Sequence, residues 1–122
     1  MKLLIRAHDI NLTDQEKQYI EDKMSRMDKF LGETTKLEIY INDIRGGDKE
    51  GVDKQVEAVT KSFGKVVRIS ETSDDIRAAI DQLKDSLERT LRKRKEKRID
   101  QQRRTKGFLK RLLPTNWFNR EE

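Results

Sequence analysis

The residues in this sequence best equipped for chemistry are a run of cations. Between Arg89 and Arg111 there are twelve Lys or Arg residues and two acids, Glu96 and Asp100, a local net charge of +10. Residues 1–88 sum to −4 and residues 112–122 to −1, so the positive charge is concentrated near one end. Seven of the cations, Arg89, Arg92, Lys93, Arg94, Lys95, Lys97 and Arg98, fall within ten residues. Such a block suits phosphate neutralisation on a polyanion, either nucleic acid or anionic lipid. A solvated helix end is the plainer alternative, since cations also offset the negative pole of a helix, but seven in ten residues exceed that need. Lys17, Lys23, Arg26 and Lys29 form a second, sparser set, in which Glu21, Asp22 and Asp28 stand close enough for weak intrahelical pairing.

Other chemistries find little support. His8 is the single histidine and there is no cysteine, which excludes a thiolate metal site, a cysteine nucleophile and a disulfide scaffold. No P-loop, nucleophile elbow or G-x-G-x-x-G occurs, and no pair of carboxylates falls in an acid–base motif. Catalysis, a cofactor, a metal and a small-molecule substrate are therefore not expected. The absence of cysteine suits a reducing, cytoplasmic setting. No apolar run exceeds three residues, as at Leu3, Leu4 and Ile5, so neither a secretory leader nor a membrane span is expected.

The elements that must hold these cations follow from periodicity. Residues 2–7 read as a short strand. Thr13 and Glu16 make a capping box at the start of a helix, on which Ile20, Met24, Met27 and Leu31 recur at helical spacing until Gly32. Residues 36–42 alternate strictly, with Leu37, Ile39 and Ile41 on one side. After a glycine-rich turn at 45–51, residues 52–60 and 65–71 read as two more strands joined at Phe63 and Gly64. A second helix is expected to start at Thr72 or Ser73 with Asp74 and Asp75 in its first turn.

On that helix Ile76, Ile80, Leu83, Leu87 and Leu91 form one stripe, and the same register continues to Arg94 and Arg98. An apolar stripe that turns cationic implies that the helix leaves its own domain near Leu91, because a buried, unpaired Arg is costly. The predicted architecture is α+β, in the order β-α-β-β-β-α, with two helices on one face of a four-stranded, mostly antiparallel sheet. Residues 1–98 are expected to form the binding domain and residues 99–122 a basic and aromatic tail. In the tail Phe108, Leu112, Trp117 and Phe118 are candidates for a partner contact, with packing on the outer face of the sheet as the alternative. The tail's apolar segment is too short for a membrane partner to be expected.

Three segments together resemble a known family: Thr13 and Asp14 opening the first helix, residues 75–81 (Asp-Ile-Arg-Ala-Ala-Ile-Asp), and residues 87–97 (Leu-Glu-Arg-Thr-Leu-Arg-Lys-Arg-Lys-Glu-Lys). Over residues 1 to about 98 the chain is similar to the ribosome hibernation-promoting factor and ribosome-associated translation inhibitor family. The resemblance implies a domain similar to double-stranded-RNA-binding domains, lodged near the decoding centre of the small ribosomal subunit, where it inhibits translation by occluding messenger and transfer RNA. It also implies rRNA contacts at Lys17, Lys23, Arg26, Arg89 and Lys93, to which the basic run adds Arg92, Arg94, Lys97 and Arg98. Two positions depart from the family pattern, Arg77 standing for a tyrosine and Ser86 for a lysine. The expected partner is the small subunit and its rRNA, with the free chain a monomer. A general duplex-RNA binder and an adaptor or transcription-modulating interaction protein are the alternatives.

Overall fold

Alternation builds the central strand: Leu37, Ile39 and Ile41 are fully buried, while Glu38, Tyr40 and Asn42 between them are half-buried on the opposite face. The computed structural model describes residues 1–44 and 53–112, with side chains as far as Phe108. The turn expected at residues 45–51 lies outside the described residues. The elements are β1 (Lys2–His8), α1 (Asp14–Met24), a 3₁₀ turn (Ser25–Lys29), β2 (Lys36–Asp43), β3 (Lys54–Ser62), β4 (Lys65–Ser73) and α2 (Ile76–Leu112). The sheet order is β1-β2-β3-β4, with β1 parallel to β2 and the other neighbours antiparallel. This is the expected β-α-β-β-β-α arrangement.

The chain divides into two compact units, Met1–Leu91 and Arg92–Glu122. In the first, one continuous core joins the helices to one face of the sheet. Ile20, Met24 and Met27 come from α1 and the 3₁₀ turn, and Ala79, Ile80, Leu83, Leu87 and Leu91 from α2. The sheet adds Leu37, Ile39, Ile41, Val56 and Ala58, and all of these are at most 1% exposed. Burying each large aliphatic side chain of this kind contributes about 1.5–3 kcal/mol. The stripe on α2 stays buried up to Leu91, where the first unit ends.

Local structure departs from expectation in two places. The first helix does not run unbroken to Gly32: after Met24 it tightens into the 3₁₀ turn, which keeps Met27, three residues on, in the core. Neither Thr72 nor Ser73 caps the second helix, because both extend β4, in register with Gln55 and Lys54. Asp75 does so instead: its carboxylate accepts from the Ala78 amide at 3.2 Å and its carbonyl from the Ala79 amide at 3.0 Å. At the start of α1 the capping box forms as expected, the Thr13 hydroxyl accepting from the Glu16 amide at 3.1 Å while the Glu16 carboxylate accepts from the Thr13 amide at 3.0 Å.

In the second unit, α2 continues as helix to Leu112, uninterrupted at Gly107. Its described side chains are exposed except Arg94, which is half-buried. Among the tail candidates Phe108 is 61% exposed. The side chain of Leu112, and Trp117 and Phe118 entirely, lie outside the described residues.

Candidate nucleic-acid interface

In the first unit, the cations of α1 and the 3₁₀ turn meet the carboxylates of α2 in a seam of paired charge. Lys23 lies 3.4 Å from Asp81 and its ammonium sits over the ring of Tyr19. The Tyr19 hydroxyl donates to the same Asp81 carboxylate at 2.5 Å, and the Arg77 guanidinium also sits over the ring, 5.3 Å from its centre. The hydrogen bond to Asp81, followed by burial, raises the Tyr19 pKa above the ordinary phenol value.

Further along the seam, Glu88 takes Lys84 at 3.0 Å and Lys29 at 3.1 Å. The hydrogen bond from Lys84 and then that from Lys29 hold the Glu88 carboxyl down at about 2, against the opposing effect of burial. Lys84, bonded also to Asp85 at 3.3 Å, is raised by Glu88 and Asp85. These links fasten the 3₁₀ turn and α1 to α2, and they neutralise Lys23, Lys29 and Lys84.

Against that background three of the expected contact residues stand out. Lys17, Arg26 and Arg89 are exposed and have no ion pair among the described residues. Arg26 and Lys29 are three apart in a 3₁₀ turn, where such side chains eclipse, and Lys29 reaches the neighbour of Arg89, Glu88. The helix seam thus leaves two guanidiniums exposed, one three residues before Lys29 and one next in sequence to Glu88. Guanidinium is the better donor for phosphate because its planar fork bonds two oxygens at once.

In the second unit, Arg92, Lys93, Lys95, Lys97 and Arg98 are exposed and Arg94 half-buried, while Arg103, Arg104 and Lys106 extend the exposed set. Lys93 and Lys97 are four apart and share a helix face. Asp100 is paired with Arg104 at 3.1 Å. This stretch of helix is net positive, with Glu96 as its one remaining acid before Leu112.

The sequence locates the cations but does not show which of them are already paired. By spacing alone Lys23 belongs with the open set, yet it is committed to Asp81 and only 31% exposed. Lys29 and Lys84 gain their roles through Glu88, and Tyr19 through Asp81; the links from Lys29 and Tyr19 cross sequence separations that no local pattern reveals. Among the described residues no cluster of three or more metal-ligating side chains is present, and no helix is long and apolar enough to cross a membrane.

Residues 3–99 of this sequence match a family profile described as Sigma 54 modulation protein / S30EA ribosomal protein. The chain belongs to this family. It is 31% identical over 102 residues to a ribosome hibernation promoting factor of Azotobacter vinelandii, covering 84% of this chain and 90% of that protein. A ribosome hibernation promotion factor of Picosynechococcus is likewise 31% identical, over 93% of this chain but 59% of its own length. Two solved structures share the fold: the N-terminal domain of Protein Y from Thermus thermophilus, with a TM-score of 0.61 at 24% identity over 76% of this chain and 98% of that one, and a ribosomal subunit interface protein from Coxiella burnetii, with 0.64 at 20% identity over 79% and 99%.

Proposed function

We propose that this S30EA-family chain is a ribosome hibernation factor: it binds the small ribosomal subunit through rRNA near the decoding centre and inhibits translation by occluding messenger and transfer RNA. The observation that carries this reading is the unpaired state of Arg26 and Arg89 at a seam in which Lys23, Lys29 and Lys84 are neutralised, together with that of Lys17 on the flank of α1 next to β1. Phosphates on an RNA surface would complete these three, and the exposed lysines Lys93, Lys95 and Lys97 would add affinity. The names of the relatives support the ribosome as the source of that RNA. No bond is made or broken; inhibition is by occupancy, in the cytoplasm, without cofactor.

The reading makes Lys17, Arg26, Arg89, Lys93 and Lys97 direct phosphate contacts, with Lys23 held by Asp81 as a positioned neighbour. The test is sedimentation of the full chain with purified small subunits across a salt series. Replacing Arg26 and Arg89 with Gln is expected to leave the melting temperature unchanged and to reduce the log–log salt slope by about 0.7–0.9 for each phosphate no longer neutralised. Cell-free translation should recover in parallel. An unchanged slope would show these guanidiniums to be ordinary solvated surface. Equal binding to any RNA duplex would favour a general duplex-RNA binder, and capture of a protein partner that survives nuclease an adaptor.

A further inference from the structure

Four charged residues of α2, Arg77, Asp81, Lys84 and Glu88, recur at spacings of four, three and four and so share one stripe of the helix, beside the apolar one. Three of them are engaged in ion pairs: Asp81 with Lys23, Lys84 with Asp85 and Glu88, and Glu88 with Lys29 as well. Arg77 differs. It is exposed and has no ion pair among the described residues. Asp81 nevertheless stands four positions on, the spacing at which oppositely charged side chains of a helix meet.

The other helix accounts for the pair that is not made. Oδ1 of Asp81 accepts from the Tyr19 hydroxyl at 2.5 Å and lies 3.4 Å from the Lys23 ammonium, so two donors from α1 already occupy this carboxylate. The Arg77 guanidinium rests instead over the Tyr19 ring, 5.3 Å from its centre, and Lys23 is 5.5 Å from the same ring. A guanidinium held by an aromatic face spends no N–H donor on a carboxylate, and its planar fork is left for an acceptor outside the protein. A side chain held in this way has also given up part of the rotamer freedom that binding would otherwise cost. An exposed, positioned and unneutralised guanidinium is the chemistry of a phosphate contact.

We infer that Arg77 is a phosphate contact of the RNA interface and that Tyr19 is its positioning residue, the ring holding the guanidinium at the surface while the hydroxyl keeps Asp81 from taking it. The inference rests on the RNA-binding reading for its ligand and adds a third open guanidinium to Arg26 and Arg89. Arg77 precedes Arg89 by twelve residues, about 18 Å along a helix axis. The contacts therefore span the seam from the Tyr19 and Asp81 bond to the Lys29 and Glu88 pair.

The test is sedimentation of the full chain with purified small subunits across a salt series, with the variant that replaces both Arg26 and Arg89 by Gln as the reference. Arg77→Gln should leave the melting temperature unchanged, weaken binding about 10- to 100-fold and lower the log–log salt slope by about 0.7–0.9, the share of one phosphate. Arg77→Lys keeps the charge and should keep the slope. Tyr19→Phe removes no charge and keeps the ring, but it frees Asp81 to pair with Arg77, so its slope should fall as that of Arg77→Gln does. A wild-type slope in either Arg77→Gln or Tyr19→Phe would overturn the inference. If the reference variant lowers the slope in that same experiment, the RNA-binding reading stands and only the part given to Arg77 and Tyr19 fails. A wild-type chain that does not sediment with small subunits would overturn both.

Discussion

Replacing Glu88 with Gln tests the charged seam between the helices in both of its roles. Glu88 is 16% exposed and accepts Lys84 at 3.0 Å and Lys29 at 3.1 Å. Lys29 is itself 54% exposed, so its contact is partly screened. Discounting for that, the pair of contacts contributes about 1–2 kcal/mol at neutral pH. For a unit of this size each kcal/mol shifts the melting temperature by about 4–8 °C. The pH dependence has a definite sign. The folded-state value of about 2 lies below the ordinary carboxyl value of 4.5, so the stabilisation is fully present above the unfolded value and is lost as pH falls towards 2. Thermal melts of the wild type and Glu88→Gln should differ most at pH values above the unfolded value and converge as pH approaches 2. The substitution also frees Lys29 of its partner, so binding to small subunits should become more salt-dependent. A stability gap of constant size from neutral pH down to about 2 would refute the assignment of Glu88 as a charged acceptor of both lysines.

Two further outcomes follow from the core and the hairpin. Leu87→Ala removes a fully buried side chain from the α2 stripe and should cost about 2–5 kcal/mol in chemical denaturation, whereas Arg89→Ala, exposed two residues on, should cost almost nothing. Gly64→Ala meets no neighbouring atom but must adopt a φ of +78°, so a destabilisation of about 1–2 kcal/mol from backbone strain alone is expected in the same assay.

The sheet was legible where its buried side is uniformly apolar. In β2, Leu37, Ile39 and Ile41 announce one face without ambiguity. In β3 the same face carries Lys54, Thr60 and Ser62 along with Val56 and Ala58, and the polar members blur the pattern. Lys54 and Thr60 are tolerated because the structure gives them partners that sequence does not show: Asp43 at 3.4 Å and Asp53 at 3.7 Å for Lys54, and the Lys36 carbonyl at 2.8 Å for Thr60. The start of α2 was ambiguous because residues 72–75, Thr-Ser-Asp-Asp, are all competent caps, and the length of the β3–β4 ladder settles the choice. At the candidate site, composition located the cations, but their state depends on pairs such as Lys23 with Asp81 and Lys29 with Glu88, made between different helices. The Phe63 and Gly64 turn was visible as a turn, and its positive φ values as a consequence of the two-residue loop were not.

The parallel pairing of β1 with β2 sets an order of assembly. Each residue of β1 is paired with one 34 positions downstream, from Lys2 with Lys36 to His8 with Asn42. The strand synthesised first is therefore a late guest in its own sheet: it has no ladder until α1 and β2 have both emerged, while β2, β3 and β4 can zip together through short-range hairpin contacts. Until β1 arrives, β2 presents a bare edge whose inner side chains are Leu37, Ile39 and Ile41, a template for pairing with another nascent chain. A shortened protein that starts after β1 would keep this exposure permanently, and aggregation rather than simple loss of binding would be its characteristic failure.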